Sequence, residues 1–416
     1  MSGPRSAIVI GGGLIGCATA WYLSKREWSV TVVERDKLGG GASHGNCGYV
    51  CPSHTMPLSG PGVVRSTLPT LFKRDAALAI PIRFDPALWK WLWKFSRECS
   101  RERMMRAAVA RHALLASSMK LYRELIADEE FDCDWRDAGL LLVYKSAREF
   151  ESYDKTAELL SREFSIDATR YAGAELNELE PTLRDGLAGG WHFPGDAHVR
   201  PDMLIGGLRR GLTTRGVELL EEVEVTSLRV EAGRLAAVET KEGPLSADLV
   251  VLATGAEAPR FAKPLQCRIP IQPGKGYSLT MRPLSAPPRI PMIFEEHHVA
   301  VTPLSSAFRV GSTMEFTGYD RTLKRRRLDL LRRSAAEHLK EPLPEQVDEE
   351  WCGWRPMTFD GLPCVGRAPG AANVFVAAGN GMIGLATAPA TGKLVAELAS
   401  DEEPHVDPQP YSLHRF

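Results

Sequence analysis

What the chain lacks narrows its function first. Its 416 residues carry a net charge of only −1, which argues against a nucleic-acid binder, whose surface is ordinarily strongly basic. No apolar run reaches the roughly 18 residues that a membrane-crossing helix needs. The opening MSGPRSAIVIGGG has no signal-peptide pattern before its first apolar run. A cytoplasmic location is therefore expected, with a peripheral seat on the inner face of the membrane as the alternative. The eight cysteines stand singly, with no C-x-x-C pair and no His/Cys cluster at zinc spacing. They read as buried thiols of a reducing compartment, and no metal is expected. Internal repeats and low-complexity tracts are also missing. What remains is a chain with 44% hydrophobic and 25% charged residues, ordinary for a globular protein and long enough for two or three cores.

The stretch from Ala7 to Glu34, AIVIGGGLIGCATAWYLSKREWSVTVVE, organises the rest. An apolar run, a glycine cluster, an apolar-periodic segment and a second β-branched run read as strand, tight turn, helix, strand. Gly11, Gly13 and Gly16 stand in the G-x-G-x-x-G spacing. The first permits the turn, the second lets backbone approach a pyrophosphate, and the third lets helix and strand pack closely. Phosphate then sits on the positive end of the helix. Glu34 closes the second strand about 20 residues on, where a carboxylate accepts hydrogen bonds from ribose hydroxyls. A glycine turn without a ligand would leave that acid unexplained.

Further along, LGGGASHGNCGYVCPSH (Leu38 to His54) is a loop suited to close backbone approach to a ligand. Pro57 to Pro86 reads as an extended excursion, and Pro86 to Ala127 as two helices or one broken one. Within it WKWLWKF (Trp89 to Phe95) reads as a helix whose tryptophans pack inward while Lys90 and Lys94 stay solvated. The alternative is a face laid on a membrane. GLLLVY before Lys145 and GGWHF near Gly189 are strand-like. Pro201 and Asp202 suit the first turn of a helix. A β-meander turns at Glu231–Gly233 and ends in the apolar strand and small-residue turn ADLVVLATGA. Three alternating runs between Ile269 and Thr317 predict an antiparallel sheet. Lys324 to Leu339 predicts an amphipathic helix with a solvated charged face. Asn373 to Ala378 predicts a buried strand, Gly379-Asn380-Gly381 a turn, and Met382 onward a helix aimed at the first site. Three glycine-bearing strand ends, far apart in sequence, are thus expected to converge on one cofactor.

The segments VIGGGLIGCATAWYL with VVE, SHGNCGYVCPSHTMPLSGPGV, KGYSLT, HHVAVTP with RVGSTMEF, and WRPMTFDGLP with AGNGMIG carry a resemblance across nearly the whole chain. It resembles the FAD-dependent D-amino-acid oxidase superfamily, and most closely its bacterial D-amino-acid dehydrogenase (small subunit) branch. The pairing of KGYSLT with RPMTxDGxP is its specific part. Cys47 and His54 depart from it, standing where alanine or glycine and an aromatic are expected.

The resemblance implies an α/β fold, a Rossmann-like FAD-binding domain with an inserted α+β substrate domain built on an antiparallel sheet. Residues 1–85, 186–265 and 346–416 would form the FAD-binding domain, 86–185 a mainly helical part of the substrate domain, and 266–345 its antiparallel sheet. Gly11, Gly13, Leu14, Ile15 and Gly16 would hold the pyrophosphate, with Glu34 and Arg35 at the adenosine ribose and Val225 at the adenine. Ser43, His44, Asn46, Cys47 and Gly48 would border the isoalloxazine, with His44 and Cys47 as sites for covalent attachment. Thr254 and Gly255 would line the phosphate side, and Gly379, Gly381, Met382 and Ile383 the N1–C2=O edge.

An amino-acid substrate brings a carboxylate, which a planar, always charged guanidinium grips in two places. Arg355 is the candidate and matches the family's carboxylate-binding arginine. Tyr277 is the candidate second donor, with a core position as its alternative, and His54, His297 and His298 are weaker substrate contacts. No general base is required, since hydride can pass from Cα to flavin N5 when the amine is neutral. The expected activity is FAD-dependent oxidative deamination of free D-amino acids, D-proline or hydroxy-D-proline included. Electrons would go to a quinone or another acceptor. The alternatives are an oxidase of glycine, sarcosine or other N-alkyl amino acids that makes peroxide, and a non-catalytic flavin-binding subunit.

Overall fold

The structure, a computed structural model, describes residues 5–68, 76–81, 84–127 and 131–416. Parts of the predicted excursion from Pro57 to Pro86, at 69–75 and 82–83, lie outside the described residues, as does the chain start at 1–4. Of the rest of that excursion, Val63–Thr67 forms a short helix and Leu78–Ala79 a strand.

The opening strand Ser6–Ile10 and helix Leu14–Ser24 arise where the apolar runs predict them. The strand sits inside a six-stranded sheet in the order 364–367, 374–378, 249–252, 6–10, 29–33, 218–220. Every neighbouring pair is parallel except the first. Parallel strands covered on both faces read as unbroken apolar runs, and LVVL at Leu249–Leu252 is buried throughout. Helix Leu14–Ser24 is buried on nearly all sides, between this sheet and helix Ala388–Ala399. The two helices cross at Gly392, where a Cβ would lie 2.5 Å from the Ala18 carbonyl carbon.

Among the described residues, the second sheet has nine strands. Its main path runs 349–358, 271–281, 307–315, 299–304, 292–294, 140–144, 189–193, 169–172, with Leu78–Ala79 paired to the strand 307–315. The three runs between Ile269 and Thr317 do form antiparallel pairs. Two stretches grouped by sequence with the nucleotide fold, 189–193 and 349–358, run in this sheet instead. Helix Arg325–His338 backs it through Leu328, Leu331 and Ala335. Its charged face is not wholly solvated: Arg327 is buried, and its guanidinium reaches the carbonyls of Ala76, Ala77 and Met314.

Pro86–Glu98 and Arg101–Ala127 are two separate helices. Asp85 caps the first, accepting the Leu88 N–H at 3.0 Å. Only one of its three tryptophans packs as expected. Trp91 is buried and donates to the Pro270 carbonyl, whereas Trp89 and Trp93 are 49% and 56% exposed. Lys94 lies over the Phe359 ring rather than in open solvent. No helix among the described residues is long and apolar enough to cross a membrane.

The end of the chain departs from a simple strand–turn–helix. After strand Val374–Ala378, Gly379 and Gly381 take positive φ, and a single 3₁₀ turn spans Gly381–Ile383. The α-helix starts only at Ala388, where Pro389 occupies the first turn. The Asn380 amide ties the segment together by donating to Thr387 and Thr391 Oγ1, each at 3.0 Å. Met357 pairs with Asn380 in an antiparallel bridge, which joins the second sheet to this glycine corner.

Candidate functional site

A cavity of about 1820 Å³ is walled by the ends of both sheets. At one end stands the first turn of helix Leu14–Ser24. Gly11 has φ +107°, and a Cβ there would sit 2.6 Å from the Ala253 carbonyl oxygen. A Cβ on Gly16 would sit 1.8 Å from the Gly11 oxygen. Gly16 therefore packs the helix onto the turn and does not itself line the cavity. Gly13, Leu14 and Ile15 do line it. Glu34 accepts the Gly12 N–H at 2.7 Å and the Asp36 N–H at 3.0 Å. Each carboxylate oxygen keeps a further lone pair for a ribose hydroxyl. Arg35 pairs with Glu257 and Asp36, and Val225, Thr254 and Gly255 complete this end of the wall.

The loop after Glu34 is folded by its own polar groups. The Ser43 hydroxyl accepts the Leu14 N–H at 3.0 Å, which places it at the start of the helix. Asn46 donates to the Ser43 carbonyl and accepts the Gly48 N–H at 2.9 Å. Gly48 has φ +75° and no room for a Cβ, which would meet the Val199 oxygen at 2.0 Å. Arg309 underpins the loop from below by donating to the carbonyls of His44 and Asn46. Ser43, Asn46, Cys47 and Gly48 face the cavity, but His44 does not. Its ring turns away to Glu349 at 2.6 Å, so neither the expected flavin contact nor attachment through it is available in this arrangement.

Arg355 lies opposite. It is carried on strand Glu349–Thr358, registered against Gly274 of the neighbouring strand. The guanidinium lies over Gly276, where a Cβ would come within 2.6 Å of it. Its Nη1 donates to the Thr313 carbonyl at 2.6 Å, and no carboxylate among the described residues pairs with it. Burial pulls the guanidinium below its ordinary pKa, partly offset by the nearby Cys47. An arginine still stays charged, so this is a half-buried cation that pairs with no anion among the described residues. Ser312 and Thr313 pay in backbone strain for the placement, at φ +105° and +56° beside a register shift in the pairing with strand Ile271–Met281.

Tyr277 is a different matter. Successive strand residues point to opposite faces, and with Gly276 facing Arg355 the Tyr277 ring enters the core beneath helix Arg325–His338. Its hydroxyl donates to the buried Glu315 at 2.8 Å. Its ring and hydroxyl thus take the core position that is the alternative to a substrate contact.

His54 lines the cavity, and burial lowers its pKa to about 4, so the ring is neutral at pH 7. His297 pairs with Glu337 at 3.6 Å, while His298 lies on the rim with 67% of its side chain exposed, 3.4 Å from Glu295. Two wall residues escaped sequence reasoning. Arg111, from helix Arg101–Ala127, is buried and spends its donors on the carbonyls of His54, Thr55 and Gly361. Trp351 fills the space over Gly45 and Gly353. The signal for Trp351 was the pair of glycines; for Arg111 there was none, because a lone arginine in a helix reads as solvated.

Residues 6–398 match the family described as FAD dependent oxidoreductase. The chain belongs to that family. It is therefore an oxidoreductase. Among its relatives is a protein of Paramagnetospirillum magneticum named D-amino acid dehydrogenase, 32% identical over 98% of both chains. Another of the same name, from Agrobacterium fabrum, is 30% identical over 98% of this chain and 99% of its own. Among solved structures, glycine oxidase from Geobacillus kaustophilus superposes with a TM-score of 0.80 at 25% identity, covering 99% of each chain.

The cavity suits the cofactor of this family. It exceeds the roughly 300–1,000 Å³ of a pocket for one small ligand. Four buried atoms on its wall, Thr254 Oγ1, Thr313 Oγ1, Thr358 Oγ1 and Asn380 Oδ1, have no hydrogen-bond partner among the described residues. Buried polar groups are ordinarily satisfied, and a long polar cofactor would satisfy them.

Proposed function

We propose that this chain oxidises free amino acids of the D series, cyclic ones such as D-proline and hydroxy-D-proline included, and passes the electrons to a quinone or another acceptor. The observation that carries the reading is Arg355: a half-buried guanidinium on the cavity wall, with one donor on Thr313 and no acid paired with it among the described residues. A substrate carboxylate supplies the missing charge, and the bidentate fork fixes how the molecule lies. The names of the relatives at 32% and 30% identity support the same substrate class.

FAD supplies the two-electron chemistry when bound. The chain's part is to hold and orient. In this reading Gly11, Gly13 and the first turn of the opening helix take the pyrophosphate, Glu34 the ribose and Val225 the adenine. The loop from Ser43 to Gly48 flanks the ring system. The 3₁₀ turn at Gly381–Ile383, with Gly379 behind it, offers N–H groups to the edge that gains negative charge on reduction. Arg355 places the substrate Cα, and the apolar walls exclude water.

A second reading, an oxidase of glycine or N-alkyl amino acids, draws on the structural likeness to glycine oxidase. A panel of D-, L- and N-alkyl amino acids added anaerobically tests both. Bleaching of the flavin by D-amino acids, followed by reoxidation with quinone and little peroxide under air, is the expected outcome. Bleaching by glycine or sarcosine with stoichiometric peroxide transfers the assignment to the second reading. A flavin that no member of the panel bleaches favours a non-catalytic flavin-binding subunit.

A further inference from the structure

The turn that carries His54 holds a second set of groups. Cys51 directly precedes the 3₁₀ turn Pro52–Thr55, and His54 stands three residues on. Asp196 arrives from the turn between strands Gly189–Phe193 and Ala197–His198. One ligand atom from each, a thiol sulfur, an imidazole nitrogen and a carboxylate oxygen, lie within 4.8 Å of one another. Cys51 and Asp196 are each only 2% exposed. The Asp196 carboxylate accepts the Ser53 N–H at 3.1 Å and the Ser53 hydroxyl, and no lysine or arginine among the described residues pairs with it. The nearby cation, Arg111, is committed to carbonyl oxygens. A buried carboxylate without a counter-charge is costly. Here it is set against the two other side chains that bind soft divalent metals.

We propose that Cys51, His54 and Asp196 bind one thiophilic divalent cation, of which zinc is the representative. Thiolate, imidazole and carboxylate are the zinc ligand types, and three of them leave a fourth position open. The sulfur disfavours magnesium and calcium, which take oxygen ligands. Ser53 serves as the outer partner that orients the carboxylate. On binding, the Cys51 S–H bond gives way to a sulfur–metal bond and the proton leaves to water. Cys51 and His54 both line the main cavity, which gives the cation and its fourth ligand, water or a donor on the substrate, a way in. The sequence shows no zinc spacing because the third ligand lies far along the chain from the Cys51-x-x-His54 pair. The site stands independently of the amino-acid reading.

The test uses the flavin-loaded protein, stripped with a chelator and titrated with Co²⁺, then with Zn²⁺ in competition. One equivalent of cobalt should bind, with a thiolate-to-metal charge-transfer band and intense d–d bands in the red, beyond the flavin's own absorption. Zinc should abolish them. Cys51→Ser should lose the charge-transfer band and bind at least tenfold more weakly. Asp196→Asn, which keeps an acceptor for Ser53, should weaken binding by a similar factor while retaining its flavin. Failure of the wild type to take up stoichiometric cobalt overturns the proposal, as does an unchanged spectrum in Cys51→Ser. Should Cys51→Ser fail to fold, unaltered affinity in Asp196→Asn overturns it equally.

Discussion

Arg355 and Tyr277 lie on neighbouring strands, and strand parity separates their fates. Arg355 hangs over Gly276, and the next residue along that strand, Tyr277, points into the core. Arg355→Ala is expected to keep its yellow colour and bound FAD and to lose roughly a hundredfold or more in kcat/KM. A carboxylate left buried without its cation costs about 2–5 kcal/mol. A variant with near wild-type efficiency would remove Arg355 from its role. Tyr277→Phe is expected to do the reverse. It deletes one hydrogen bond to Glu315, which keeps Lys324 at 3.1 Å and Arg327 at 3.2 Å. Stability measured by urea unfolding should fall by roughly 1–2 kcal/mol, with kcat/KM within about threefold of wild type, the size of a change that leaves transition-state contacts in place. The residue type and motif around both positions are legible in the chain, but the face is not. KGYSLT alternates glycine with larger residues, and only the paired strand says which side the guanidinium occupies.

At the scale of elements, the opening strand–turn–helix is written out in full, because Gly11 and Gly16 each answer a backbone contact that nothing larger fits. The same reasoning yields a prediction at Gly276. Alanine there would put a methyl group 2.6 Å from the Arg355 guanidinium, so the arginine must move. Gly276→Ala should bind FAD normally by absorbance and raise KM for the amino acid tenfold or more, since a misplacement of about 1 Å is enough for such losses. An unchanged KM would show that the guanidinium has slack. What the chain does not declare is how strands are shared between sheets. Glu349–Thr358 and Gly189–Phe193 sit beside segments of the nucleotide fold in sequence, and only hydrogen-bond pairing assigns them to the larger sheet. The final helix also reads as continuous from Met382, although Pro389 within ATAPATGKL marks a first turn. The start at Ala388 is set by the Asn380 amide and by Pro389.

For the molecule as a whole, one contribution to acid stability sits at the hairpin turn that carries Glu296. Burial alone would raise the Glu296 carboxyl. Contacts from His338 and from the backbone N–H groups of Ser146 and Lys145 outweigh that and hold it at about 2. A carboxyl depressed in the folded state stabilises it above the ordinary carboxylate range and loses that contribution as pH falls towards the folded value. Glu296→Gln should therefore be less stable than wild type by roughly 2 kcal/mol at pH 6, a figure discounted for partial exposure. The gap should close between about pH 4.5 and 2. Melting curves across that range check it, and a gap that is constant with pH would remove the carboxylate from the account. None of this was readable from HHVAVTP and its flanks, where the paired histidines draw attention and the glutamates do not.

The bridge between Met357 and Asn380 fastens the end of the strand that carries Arg355 to the glycine corner on the cavity wall. In the proposed reading, that bridge ties the strand that would grip the substrate to the corner that would border the ring, across the seam of the two sheets. On that reading, the separation between substrate and ring would be fixed by the fold before either binds. Access must then be governed by side chains at the cavity mouth, and alterations at the seam should slow the reaction without disturbing how tightly an amino acid is held.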